Sequence, residues 1–188
     1  MKIPEITADL SKEELWRQTV KALDGGDFSW LDKLLTKTNA SIIELLESNG
    51  EPTEYMNEAF AWVCFTGRTR DAETLLDKGV DPTSGFKTGL AGFHWAVNRG
   101  NLETVQMLIA REAPLEQVNM YGGTVLGCAL YSAVYEYRDS HAEIIEALID
   151  ARAVIEPGTQ EWWEKQHVPT EATKDRVTTA LRLTPNKI

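Results

Sequence analysis

At 188 residues, 43% of them hydrophobic, the chain is long enough for one domain with a substantial buried core. Its formal net charge of −10 opposes a nucleic-acid backbone or an anionic membrane surface as partner. Two cysteines without short-range partners, no apolar run near the ~18 residues of a membrane span, and no signal-like core in MKIPEITADL predict a soluble, cytoplasmic chain without a disulfide framework or zinc site.

Residues 1–10, with Pro4 among them, read as a loose leader. Ser11 followed by Glu14 is a capping-box pair, and Trp16, Val20 and Leu23 continue as a helical stripe that Gly25-Gly26 ends. Asp27 is placed to cap a second helix, in which Trp30-Leu31 and Leu34-Leu35 recur one turn apart. A third, short helix is predicted from Ser41, with Glu44 as its capping partner, to the stop signal Asn49-Gly50. From Glu54 to about Pro82 comes a unit of two helices ending in Lys78-Gly79-Val80-Asp81-Pro82, followed by the turn-rich TSGFKTGL.

The stretch Gly89–Glu116 repeats that plan. Phe93, Ala96 and Val97 mark one apolar helical face, Gly100 a turn, and Leu102, Val105, Leu108 and Ile109 a second face. Two helices of this kind are too thin to bury their own apolar faces, so the unit requires neighbours. A third unit begins near Tyr121-Gly122-Gly123-Thr124, and Pro157-Gly158 closes it. Its two halves are separated by seven extra residues, so its first helix is predicted to run past the usual stop into an insert, Ala133 to Asp139, with Ser140 and Glu143 capping the second. Beyond lie an apolar turn at Trp162-Trp163, Pro169, a helix carrying Ala172, Val177, Ala180 and Leu181, and a frayed tail, Thr184–Ile188.

The units recur at a fixed distance. Phe60-Ala61-Trp62 precedes Phe93-His94-Trp95 by 33 positions, as Gly67 precedes Gly100 and Ala96 precedes Ala129. A turn and two helices on this period resemble the ankyrin family. The resemblance is carried by His94, Ala96, Gly100, Glu103, Val105, Leu108 and Ile109, set against the pattern TPLHxAAxxGxxEIVxLLL. Ala91, Gly92 and Phe93 stand where Thr, Pro and Leu are usual, and the next unit has Gly127 in place of the histidine. It implies an all-α helical-repeat solenoid forming a single domain over 1–188. Within it, residues 11–53 form a divergent N-terminal repeat or cap, 54–156 three ankyrin-like repeats, and 157–188 a helical C-terminal cap.

No catalytic set emerges. His94 falls at the family's structural histidine position, and His141 opens a helix where a surface or inter-repeat role is expected. Neither HExxH, CxxC nor a phosphate loop is present, so no metal and no cofactor is expected. Cys64 and Cys128 read as small buried hydrophobes.

What remains is surface. The resemblance implies that fingers and first helices line a concave, partner-facing side. The corresponding positions are Glu54, Tyr55, Asn57, Phe65 and Thr66 in the first unit, and Lys87, Thr88, Leu90, Asn98 and Arg99 in the second. In the third they are Met120, Tyr121, Gly123, Tyr131 and Ser132, to which the insert adds Tyr135, Tyr137 and Arg138. Phe65, Leu90 and Met120 are also suited to packing between repeats. The expected function is a non-enzymatic module, monomeric when free, that binds a protein partner. In a finer form it is an acidic inhibitor or immunity-type protein of a basic partner. The alternatives are a structural adaptor working through its edges, and a helical-repeat enzyme or ligand binder using Trp162, Trp163 and His167.

Overall fold

The computed structural model describes residues 9–183; Pro4 in the expected leader and the expected frayed tail at Thr184–Ile188 lie outside the described residues. The described residues form eleven helices and no strand. The N-terminal three are α1 (Lys12–Gly25), α2 (Phe28–Thr38) and α3 (Ile42–Ser48). Three repeat pairs follow: α4 (Thr53–Thr66) with α5 (Thr69–Asp77), α6 (Gly92–Asn98) with α7 (Leu102–Ala110), and α8 (Val125–Tyr135) with α9 (His141–Asp150). A last pair is α10 (Thr159–Glu164) and α11 (Glu171–Leu183).

Helices α1, α4, α6 and α8 stack in one row, and α5, α7, α9 and α11 in a second, with α3 wedged against α4 and α5. The stack follows from the repeat. Leu75, Leu108 and Leu148 occupy equivalent places in the second row, Val63, Ala96 and Ala129 in the first, and all six are fully buried. Small residues in the first row let those helices approach closely, while leucine fills the wider second row. One continuous core therefore runs from Ala22 to Leu181.

Helix starts follow the local chemistry. Ser11, Asp27, Ser41 and Thr124 each accept a backbone N–H from three residues on. Two expectations need correction. The Glu14 carboxylate does not complete a capping box but binds Arg17 and Gln18. Ser140 does not cap α9, because its hydroxyl donates instead to the Gly100 carbonyl of the preceding unit at 2.6 Å. The insert divides: α8 has 11 residues against the 7 of α6, and residues 136–139 form a loop back to α9.

The junctions between units share one device. Asn101, at the start of α7, donates from Nδ2 to the carbonyls of Cys64 and Phe65 at 2.8 and 3.2 Å. His141, its equivalent in α9, brings Nε2 to the carbonyls of Val97 and Asn98 at 3.0 and 3.3 Å. These are equivalent carbonyls in successive units, in the last turn of a helix where no N–H four residues on closes the ladder. The approach demands glycine at the turn beneath. At Gly67 (φ +72°) a Cβ would lie 2.9 Å from Asn101 Oδ1, and at Gly100 (φ +71°) 2.7 Å from Ser140 Oγ. Arg68, the matching residue of the first unit, instead pairs with Asp32 of α2 at 3.3 Å and lies over the Trp62 ring.

Candidate protein-binding face

The residues expected on the partner-facing side separate into three groups. Some are buried in junctions. Asn98 donates from Nδ2 to Ser132 Oγ at 3.0 Å, and both side chains are buried between α6 and α8. They are not presented to a partner, which corrects the expectation for both. Phe65 packs edge-on against Phe28 and Trp95, with ring centroids 5.7 and 5.0 Å away, and the Arg99 guanidinium covers it at 4.7 Å. Its packing role is the one realised.

A second group pins loops to helices. Lys87 forms an ion pair with Asp24 of α1, and its ammonium also feels Glu54 and Glu58. Thr88 accepts from the Trp95 indole at 2.8 Å, and Tyr55 meets Trp16 edge-on at 5.7 Å. The Tyr137 hydroxyl lies 3.2 Å from Thr173 Oγ1 of α11. Arg138 donates to the carbonyls of Glu136 and Tyr137, and its aliphatic stem lies over Gly100. Tyr137 and Arg138 thus hold the insert in place rather than project from it.

The third group is open to solvent, and it gathers on the third unit. Met120 is 67% exposed, Tyr121 77%, Tyr131 53% and Tyr135 58%. Tyr131 and Tyr135, one helical turn apart on α8, hold their rings 4.5 Å apart. A groove of about 420 Å³ is lined by Tyr131 and by Trp162 of α10. Gly127 and Leu130 of α8 with Pro157, Gly158 and Thr159 complete the lining. Past the groove, the Tyr135 hydroxyl reaches Gln166 at 3.4 Å and ties α8 to the end of α10.

The groove has a cause in the sequence. His94 spans the equivalent space in the second unit, bringing Nε2 to the Gly123 carbonyl of the next finger at 3.2 Å. The third unit has Gly127 at that position, so nothing fills the gap, and α10 docks through α11 rather than on α8. The sequence groups Trp162 with Trp163 and His167 as a candidate ligand site. That trio does not assemble: Trp163 is fully buried, donating to Thr178 Oγ1 at 3.1 Å beneath Lys174, while His167 is exposed.

Burial disfavours the charged forms of the interior's titratable groups. Burial pushes the His94 and His141 pKa values down and those of both cysteine thiols up, Cys128 to about 12. His141 Nδ1 accepts the Arg138 N–H at 3.0 Å, which fixes the proton on Nε2, toward the Val97 carbonyl. Glu58 is buried in α4, and loss of solvent raises its pKa despite the Lys87 backbone and ammonium nearby.

Stacked helix pairs, with inter-unit ties at equivalent positions and an open aromatic surface, define a helical-repeat solenoid. Residues 89–120 match the family model described as ankyrin repeat. The chain is 31% identical over 90 residues to "Ankyrin repeat, SAM and basic leucine zipper domain-containing protein 1" of Atelerix albiventris, covering 48% of this chain and 17% of that protein. The Mus musculus protein of the same name shows the same identity and coverage. An ankyrin repeat protein of Fowlpox virus (strain NVSL) is 44% identical over 46 residues, 24% of this chain and 33% of that protein. The chain thus spans about a sixth of the mammalian relatives and a third of the viral one. Residues 89–120 are thus an ankyrin repeat by sequence, set within an all-helical repeat fold consistent with that family.

Proposed function

We propose that this chain is a non-enzymatic protein-binding module of the cytoplasm, monomeric when free, whose partner docks on the third unit and the adjoining fingers. The observation that carries this reading is the solvent-exposed set Met120, Tyr121, Tyr131 and Tyr135. Tyr121 and Tyr131 in particular make no tie between repeats among the described residues, and Tyr and Met are enriched where protein interfaces exclude water. In its finer form the partner is basic and is inhibited by being covered. The net charge of −10 supports that form, because opposed fields speed encounter.

The test uses the full chain as bait in an extract of its native host. The triple variant Tyr121→Ala, Tyr131→Ala, Tyr135→Ala should keep its helical circular dichroism and lose the captured protein. Capture by the variant equal to the parent's overturns the proposed face. Association with the purified partner should slow steeply as salt rises; a salt-independent on-rate removes the basic partner and leaves the module.

A further inference from the structure

We infer that the groove between α8 and α10 receives an arginine side chain on an extended segment of the partner. This deepens the protein-binding reading and rests on it. Its volume of about 420 Å³ lies in the range of pockets that hold small ligands, so it suits a few residues of extended chain rather than a folded surface. Its aromatic lining is Trp162 from α10 and Tyr131 from α8, the latter in ring contact with Tyr135. Aromatic rings attract a cation, and guanidinium more often than ammonium because it is planar and weakly hydrated.

The charges around the groove point the same way. The residues that line the groove are all uncharged, and α8, α10 and the turn before α10 carry Glu156, Glu161 and Glu164. Glu161 is engaged by Lys165 at 2.6 Å and Glu164 by Arg182 at 2.7 Å. Glu156, beside the Pro157-Gly158 turn, has no ion-pair partner among the described residues. A guanidinium entering between Trp162 and Tyr131 therefore meets two aromatic residues and no lining cation, with the Glu156 carboxylate in the adjoining turn. An apolar or proline side chain would use the walls and leave Glu156 without a role.

The probe is acetyl-Gly-Arg-Gly-amide, with its lysine, norleucine and proline counterparts, titrated into the full chain. The readout is the Trp162 indole N–H resonance, assigned by its loss in Trp162→Phe. The arginine peptide should move that signal to saturation, lysine should need higher concentration, and norleucine should leave it in place. Tyr131→Ala should weaken arginine binding roughly 5–30-fold, Glu156→Gln should weaken it less, and Gly127→Leu, which fills the groove, should abolish it. Gly127→Ala is the milder form: its Cβ would meet only Thr124 Oγ1, at 3.3 Å. Equal shifts from norleucine or proline overturn the arginine assignment, and a response indifferent to Tyr131 and Gly127, or none from any peptide, overturns the subsite. If the peptide fails while capture still depends on Tyr121, only the groove proposal falls. If the peptide binds and capture ignores all three tyrosines, the subsite stands and the docking face is wrong.

Discussion

Replacing His141 with alanine should weaken the junction between the second and third units. The ring is fully buried and satisfies two backbone groups at once, the Val97 carbonyl through Nε2 and the Arg138 N–H through Nδ1, each at 3.0 Å. Alanine leaves the Arg138 N–H without a partner, leaves the Val97 carbonyl only the Gly100 N–H at 3.2 Å, and opens a cavity, at about 2–4 kcal/mol together. Because units touch only their neighbours, the loss should not spread evenly. Urea unfolding gives the total, and native-state hydrogen exchange gives its location: amides of α8–α11 should lose protection well before those of α4–α7. A loss below about 1 kcal/mol, or one shared equally by all helices, would refute the idea that this ring clamps the junction. Burial holds the folded pKa of His141 below its ordinary 6.5. The stability this brings is present above that value and is lost as pH falls through the folded pKa, so the gap between parent and variant should narrow on acidification.

Leu108→Ala, at a fully buried second-row position, should cost about 2–5 kcal/mol in the same urea assay; a loss under half a kcal/mol would mean the register is wrong. Cys64 and Cys128, buried with raised pKa values, should resist a thiol reagent at pH 8 until the array is unfolded, and prompt labelling of the native chain would contradict their placement. Glu58→Gln should stabilise the protein at pH 7. The raised carboxyl pKa means stability is lost as pH rises through it, so the gain over the parent should vanish below about pH 4.5; a destabilised variant at neutral pH would show that Glu58 is well paired.

The repeat was legible because its signal is periodic. Val63, Ala96 and Ala129 at steps of 33, and Leu75 and Leu108 at the same step, show in the letters, and the structure places them in the core. The face was only partly legible. Register alone puts Asn98 and Ser132 on the inner side, but it does not say that the end of α6 leans on α8 and closes over both. Tyr137 shows the same limit, since its partner Thr173 lies 36 residues on, in a helix that no repeat pattern predicts. Trp162 was missed as a surface residue because adjacent tryptophans read as one packing unit, whereas successive helical positions point about 100° apart. The available signal was Gly127, a missing side chain where the pattern calls for histidine.

The reach of Asn101 and His141 gives the stack a direction. Each unit ends its first helix with an open socket of carbonyls, and the plug for that socket belongs to the next unit in the chain. Synthesis from the N-terminus therefore presents every socket before its plug exists, so the array can be completed link by link without undoing what is already formed. The last junction reverses the gesture, with Tyr137 reaching forward to Thr173 of α11. A further unit spliced in after α9 would thus need its own reaching residue at the head of its second helix. Moving α10 and α11 directly behind α7 would leave the Val97 carbonyl without its plug and the Tyr137 anchor without a source.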